Sequence, residues 1–298
     1  MNRNEITAEH CGARIAQVLE ELESLRLEMG CSKDARVPMH VHDASPREVF
    51  YHAQTVHRKA NQLCIELGAQ AVNPPGAAEP ARAIPADVLL VLDSTRERLA
   101  TARASLHLEG DSRAPDLPGP LLTSAGKEPS DVLKGCLLAS RQLNAMLGHA
   151  FAAPESQEQL LRALGLLGRL LAFHGAAMPA LPAMERRKSP RDVFEVLWQS
   201  CRTLHQIMTD SDVPSLGIER GYVGEQPTDV YDMASLIVSE LEFLASFLGG
   251  DAAAVPVTAV PPPVLPAHNF RHACQLRAAI AALAVLVRAK PDWLRSRG

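Results

Sequence analysis

The hexapeptide SPREVF at Ser45–Phe50 returns as SPRDVF at Ser189–Phe194. Shorter copies stand at Pro85-Ala86-Asp87-Val88, Pro129-Ser130-Asp131-Val132 and Pro227-Thr228-Asp229-Val230, with a degenerate one at Pro266-Ala267-His268-Asn269-Phe270. A proline-free stretch of helical length follows each copy. Proline is tolerated in the first turn of a helix, where its missing N–H would lack a partner anyway. An acid two residues later favours the positive end of the helix dipole. Ser45 with Glu48, and Ser189 with Asp192, spell capping boxes. The repeated motif therefore reads as a helix start rather than as an active-site signature.

The stretches after the motif carry one apolar face each. Val230, Ala234, Ile237, Leu241, Leu244 and Leu248 alternate steps of three and four, as do Val49, Ala53, Val56, Ala60, Leu63 and Leu67, and Phe270, Ala273, Leu276, Ile280, Leu283 and Val287 are likewise three or four apart. That spacing belongs to a helix packed in a bundle. Two further helices lack the motif and stop at glycines, Gly30 and Gly175, the usual residue past a helix end. Eight helices are predicted, near 5–29, 46–68, 85–108, 129–151, 155–174, 190–209, 227–248 and 267–289. No segment shows the alternation of a strand.

The landmarks repeat at long range. Gly30 and Gly175, Pro46 and Pro190, Pro85 and Pro227, and Pro129 and Pro266 are pairs at nearly one spacing. The expectation is an all-α chain built by tandem duplication of a four-helix unit, with bundles at 1–152 and 153–298 abutting through the short junction at 151–156. The alternative is a continuous solenoid-like array of helical repeats. The other connections are longer than bundle loops usually are. Such loops can cross a bundle end or run along its side. The fifth helix, LLRALGLLGRLLAF, is apolar almost all round, and so predicts contacts on several sides.

Composition narrows the function. Hydrophobic residues make up 47% of 298, and aromatics 4%. Residues 1–152 hold 16 Lys and Arg against 19 Asp and Glu, and residues 153–298 hold 14 against 15. Neither half has the basic excess of a nucleic-acid binder. The longest apolar run, Ala278–Val287, is too short for a membrane span. The six cysteines, Cys11, Cys31, Cys64, Cys136, Cys201 and Cys274, are scattered, as suits a reducing compartment. No leader-like segment is visible at the start, so the expectation is cytoplasmic, with a periplasmic location as the alternative if a leader has been removed.

Catalytic patterns are missing from the sequence. It holds no Glu-x-x-His, no G-x-S-x-G, no P-loop and no dinucleotide fingerprint. His40 with His42, and His268 with His272, are loose pairs read as solvated or capping, and His57 as an ordinary surface histidine. No metal and no cofactor is assigned. The leading expectation is a non-enzymatic scaffold that binds a protein partner or itself, through a bundle face or the seam between bundles. The alternative is a small-molecule sensor with its site at a bundle end or the seam. Candidate binding residues are Arg47 and Arg191, which follow the repeated prolines, together with Trp198, Arg220, Tyr222 and Tyr231. Arg220 and Tyr222 sit in the glycine-rich loop 217–226. The rings near the helix starts are read mainly as plugs for the core ends.

Overall fold

The computed structural model describes residues 3–34, 39–76, 80–106, 125–148, 153–219, 226–248, 264–289 and 293. Eight α-helices account for most of them: α1 (Ala8–Glu28), α2 (Pro46–Glu66), α3 (Pro85–Ser105), α4 (Pro129–Met146), α5 (Ala153–Phe173), α6 (Pro190–Asp210), α7 (Pro227–Ser246) and α8 (Pro266–Ala289). The only strands among these residues are two-residue segments at Val41–His42 and Gly217–Ile218. The chain divides into two compact units, Met1–His149 and Ala150–Gly298.

The motif does at each helix start what its chemistry implies. Pro46, Pro85, Pro129, Pro190 and Pro227 all occupy the first turn. The acid then reaches back to the backbone N–H before the proline: Glu48 accepts from Ser45 at 2.6 Å, Asp87 from Ile84 at 3.0 Å, Asp192 from Ser189 at 2.7 Å and Asp229 from Gln226 at 3.0 Å. Where the acid is missing, a histidine takes over. Thr7 N–H donates to His10 Nδ1 at 3.1 Å, and Leu265 N–H to His268 Nδ1 at 2.9 Å. The glycine stops are also local. Gly30, Gly68 and Gly175 have positive φ, and the N–H groups of Cys31, Ala69 and Ala176 close back on Arg26, Cys64 and Leu171, the double-bonded glycine cap.

In the first unit α1 packs on α3 and α4, and α2 packs on the same two helices. The bundle therefore runs α1–α3–α2–α4 around its axis. In the second unit α5 packs on α7 and α8, and α6 on α7 and α8. The apolar stripes read from the sequence form these cores. Val49, Ala53, Val56, Ala60 and Leu63 are buried in one unit, and Val230, Ala234, Ile237, Leu241 and Leu244 in the other. Each such side chain contributes about 1.5–3 kcal/mol on burial.

All four helices of each unit point the same way. Along α1 and α3 the ion pairs Arg14–Asp93, Glu21–Arg96 and Glu28–Arg103 climb together. On α2 and α3, His57 meets Ser94 at 3.0 Å, and Cys64 donates to the Arg98 carbonyl at 2.9 Å. In the second unit Ser156 donates to the Pro227 carbonyl at 3.2 Å near the helix starts, and Arg162 pairs with Glu242 further along. Arg277 reaches Gln199 at 2.9 Å, and Arg288 reaches Asp210 at 3.9 Å. Asn269 donates to the Ala153 carbonyl, which sets the starts of α8 and α5 side by side.

A parallel bundle explains the long connections. A 21-residue helix is about 30 Å long, so the chain must travel about that far back before the next helix begins. Residues 174–189 and 211–226, 16 each, suffice when extended. The 174–189 connection lies along its bundle: Gln275 donates to the Pro179 carbonyl and Arg271 to that of Pro182. Met178 lies 3.6 Å from where a side chain at Gly168 of α5 would begin. That contact, with those to α7 and α8, supplies the several sides that α5 needs. Parallel dipoles bring four positive ends together. The acids at the third position offset that, each by about 0.3–1 kcal/mol.

Candidate functional site

The start of the first bundle forms a ring. Ala8 and Cys11 of α1, Pro46 and Val49 of α2, Pro85 and Val88 of α3, and Pro129 and Val132 of α4 line an apolar opening there. The prolines and valines of the repeated motif are thus its lining. The opening has room for no more than about one water. The Cys11 thiol donates to the Pro85 carbonyl, and burial pushes its pKa up to about 12. That thiol is packing, not a nucleophile.

The densest polar chemistry of this unit lies further in, on α2. Glu48, His52, Thr55 and Lys59 are spaced four, three and four, and all are buried. Glu48 holds the Ser45 N–H and hydroxyl through one oxygen and Arg47 through the other. Lys59 donates to the hydroxyl of Ser140 on α4 and, at 3.3 Å, to its carbonyl. His52 has no hydrogen-bond partner for either ring nitrogen among the described residues. Burial, with Lys59 and Arg58 adding charge, lowers its pKa to about 3. Burial, with Arg98 and Arg58, lowers that of His57 to about 4. Both imidazoles are therefore neutral at pH 7.

A serine hydroxyl beside a lysine amine is an atom pair that some acyl-transfer sites use. Here Ser140 is 0% exposed and Lys59 2%, so no substrate meets the hydroxyl. The pair instead ties α2 to α4. Sequence reading overlooked it, because the two residues meet only through the helix pairing. It also placed His57 on the surface, whereas that ring is buried and bonded to Ser94.

The candidate residues do not converge. Arg47 is buried against Glu48, while Arg191, its counterpart by sequence, is exposed. The matching arginines thus share a position and not an environment. Trp198 is half-buried with the Arg202 guanidinium 5.0 Å over its ring. Tyr231 is buried, as are Phe50 and Phe194, each four residues past its proline. Arg220 and Tyr222 lie outside the described residues. His42 bonds Asp43 at 2.6 Å, and His268 is a cap. No group of three or more His, Cys, Asp or Glu suited to a metal occurs among the described residues. Burial raises the thiols of Cys64, Cys136 and Cys201 as well.

One helix face stands open. α8 is long and apolar enough to cross a membrane by length and composition, and 39% of its most apolar stretch is buried. Ala273, Leu276, Ile280, Leu283 and Val287 fill the bundle core. On the opposite side Ala278, Ala281, Val285 and Ala289 are exposed, with Cys274, Ala282 and Leu286 half-exposed beside them. Val285 reaches 67% exposure. No family model matches the chain, and neither a curated protein nor a solved structure matches it.

Proposed function

We propose that this protein is a non-enzymatic helical interaction module, docking a protein partner on an outer bundle face. The observation that carries the reading is the uncovered apolar side of α8. An apolar face left in water is costly and commonly marks an interaction site. The reactive side chains support the same reading. The Ser140–Lys59 pair and four of the six thiols are buried, and all six thiols are free. Free thiols suit a reducing, cytoplasmic setting. The apolar ring at the start of the first bundle holds about one water, so a small-molecule ligand has no room there. A tandem duplication is supported by the repeated landmarks and by the same neighbour order in both units.

The test places a photo-crosslinking residue at Ala281 and, as a control, at the exposed Glu97 of α3. The expected result is a discrete crosslinked protein from position 281 in the native host, lost when Val285→Glu is added. Equal labelling from both positions overturns the reading.

A further inference from the structure

The surroundings of the open α8 face say what would sit on it; the inference rests on the docking reading above. The chain as a whole is net acidic, with 30 Lys and Arg against 34 Asp and Glu. The region beside this face reverses that balance. Residues 174–210 and 266–289, which comprise α6, α8 and the connection into α6, hold eight Lys and Arg against four Asp and Glu. Arg186, Arg187, Arg191, Arg202, Arg277 and Arg288 are all exposed. α8 itself contains no Asp or Glu. Arg277 lies against Gln199, and Arg288 is 3.9 Å from Asp210, so the α6 flank forms a rim of the face.

We propose that the outer face of α8 receives an amphipathic helix of a partner protein, with acidic residues flanking its apolar stripe. Small side chains at 278, 281, 282 and 289 let a second helix approach to the short end of the usual 8–10 Å interaxial range. Val285 offers a bulky knob, with Leu286 half-exposed on its flank. The rim then supplies charge complementarity, which sets orientation and speeds encounter. A second copy of this chain fits worse. A two-fold pairing of α8 brings Arg277 and Arg288 against like charges, whichever way the helices run. A lipid surface fits worse too, because interfacial helices bury Trp, Phe and Leu, and this face offers mostly alanine.

The experiment uses the full chain and two labelled synthetic helices that share one leucine stripe, one flanked by Glu and the other by Lys. Fluorescence anisotropy is expected to show the Glu helix binding at least ten times more tightly than the Lys helix, with binding weakened about tenfold by 0.5 M salt. Val285→Glu removes binding of both. Arg277→Glu with Arg288→Glu weakens the Glu helix about tenfold and strengthens the Lys helix. An unchanged urea midpoint shows that the variants fold. The inference is overturned if the two helices bind equally, if neither binds, if phosphatidylserine vesicles bind where the helices do not, or if Val285→Glu dissolves a dimer of this chain. Should the crosslink from position 281 persist while the Glu helix fails, docking at α8 survives and the acidic occupant falls.

Discussion

Gly135 of α4 lies directly against Ile15 of α1: a Cβ at position 135 would stand 2.7 Å from Ile15 Cγ1 and 3.1 Å from its Cγ2. Ile15 is 4% exposed, so it has little room to yield. Gly135→Ala would ordinarily stabilise a helix by about 1 kcal/mol. Here overpacking outweighs that gain, and a net loss of about 1–2 kcal/mol is expected. Urea unfolding checks it, and Ile15→Ala in the same chain should restore part of the loss of Gly135→Ala. Stabilisation by Gly135→Ala alone would disprove the close packing.

The buried imidazoles predict a one-sided pH profile. His52 and His57 are held near pKa values of about 3 and about 4, against 6.5 for a free histidine. The unfolded chain therefore takes up their protons first as pH falls. Their contribution to stability is complete above pH 6.5 and shrinks from there down to the folded values. Each ring contributes a slope of about 1.4 kcal/mol per pH unit between its folded value and 6.5, and the window is wider for His52 than for His57. Urea midpoints between pH 7.5 and 4.5 should drop steadily, and His52→Leu should flatten the curve. An unchanged slope in that variant would show that the ring is not buried neutral.

The caps should not be equivalent. Glu48 is 0% exposed and pairs with the buried Arg47, whereas Asp192 is half-exposed. Removing the Asp192 cap with alanine is expected to cost about 1 kcal/mol. Glu48→Ala should cost about 3 kcal/mol, because it also strips a buried ion pair of one member. Equal losses in thermal or urea unfolding would contradict the difference in burial.

The parallel arrangement has a direct test. Spin labels at the exposed positions Glu66 and Ala104, near the ends of α2 and α3, should report a separation of about 10–20 Å, set by the interaxial distance and the label arms. An antiparallel pair would hold these ends apart by about the helix length, 30 Å or more. A long distance would refute the topology.

The sequence exposed the helix starts, the glycine stops and the core stripes because each is local. A proline, an acid three residues past the cap and a 3–4 apolar spacing act within one or two turns. It left the direction of the helices open, since a long connection is compatible with crossing an end or running back along the bundle. It also left the candidate arginines indistinguishable, as Arg47 and Arg191 follow the same Ser-Pro pair.

Local chemistry thus determined from sequence alone where the eight helices among the described residues start and stop and which faces are apolar. Tertiary structure alone decided that the helices of each unit run parallel, that Lys59 is anchored by Ser140 of α4, that Arg47 is buried while Arg191 is not, and that α8 keeps an apolar face in solvent. The reason is physical. Caps and periodicity are satisfied within a helix, whereas burial and charge pairing depend on which helices become neighbours.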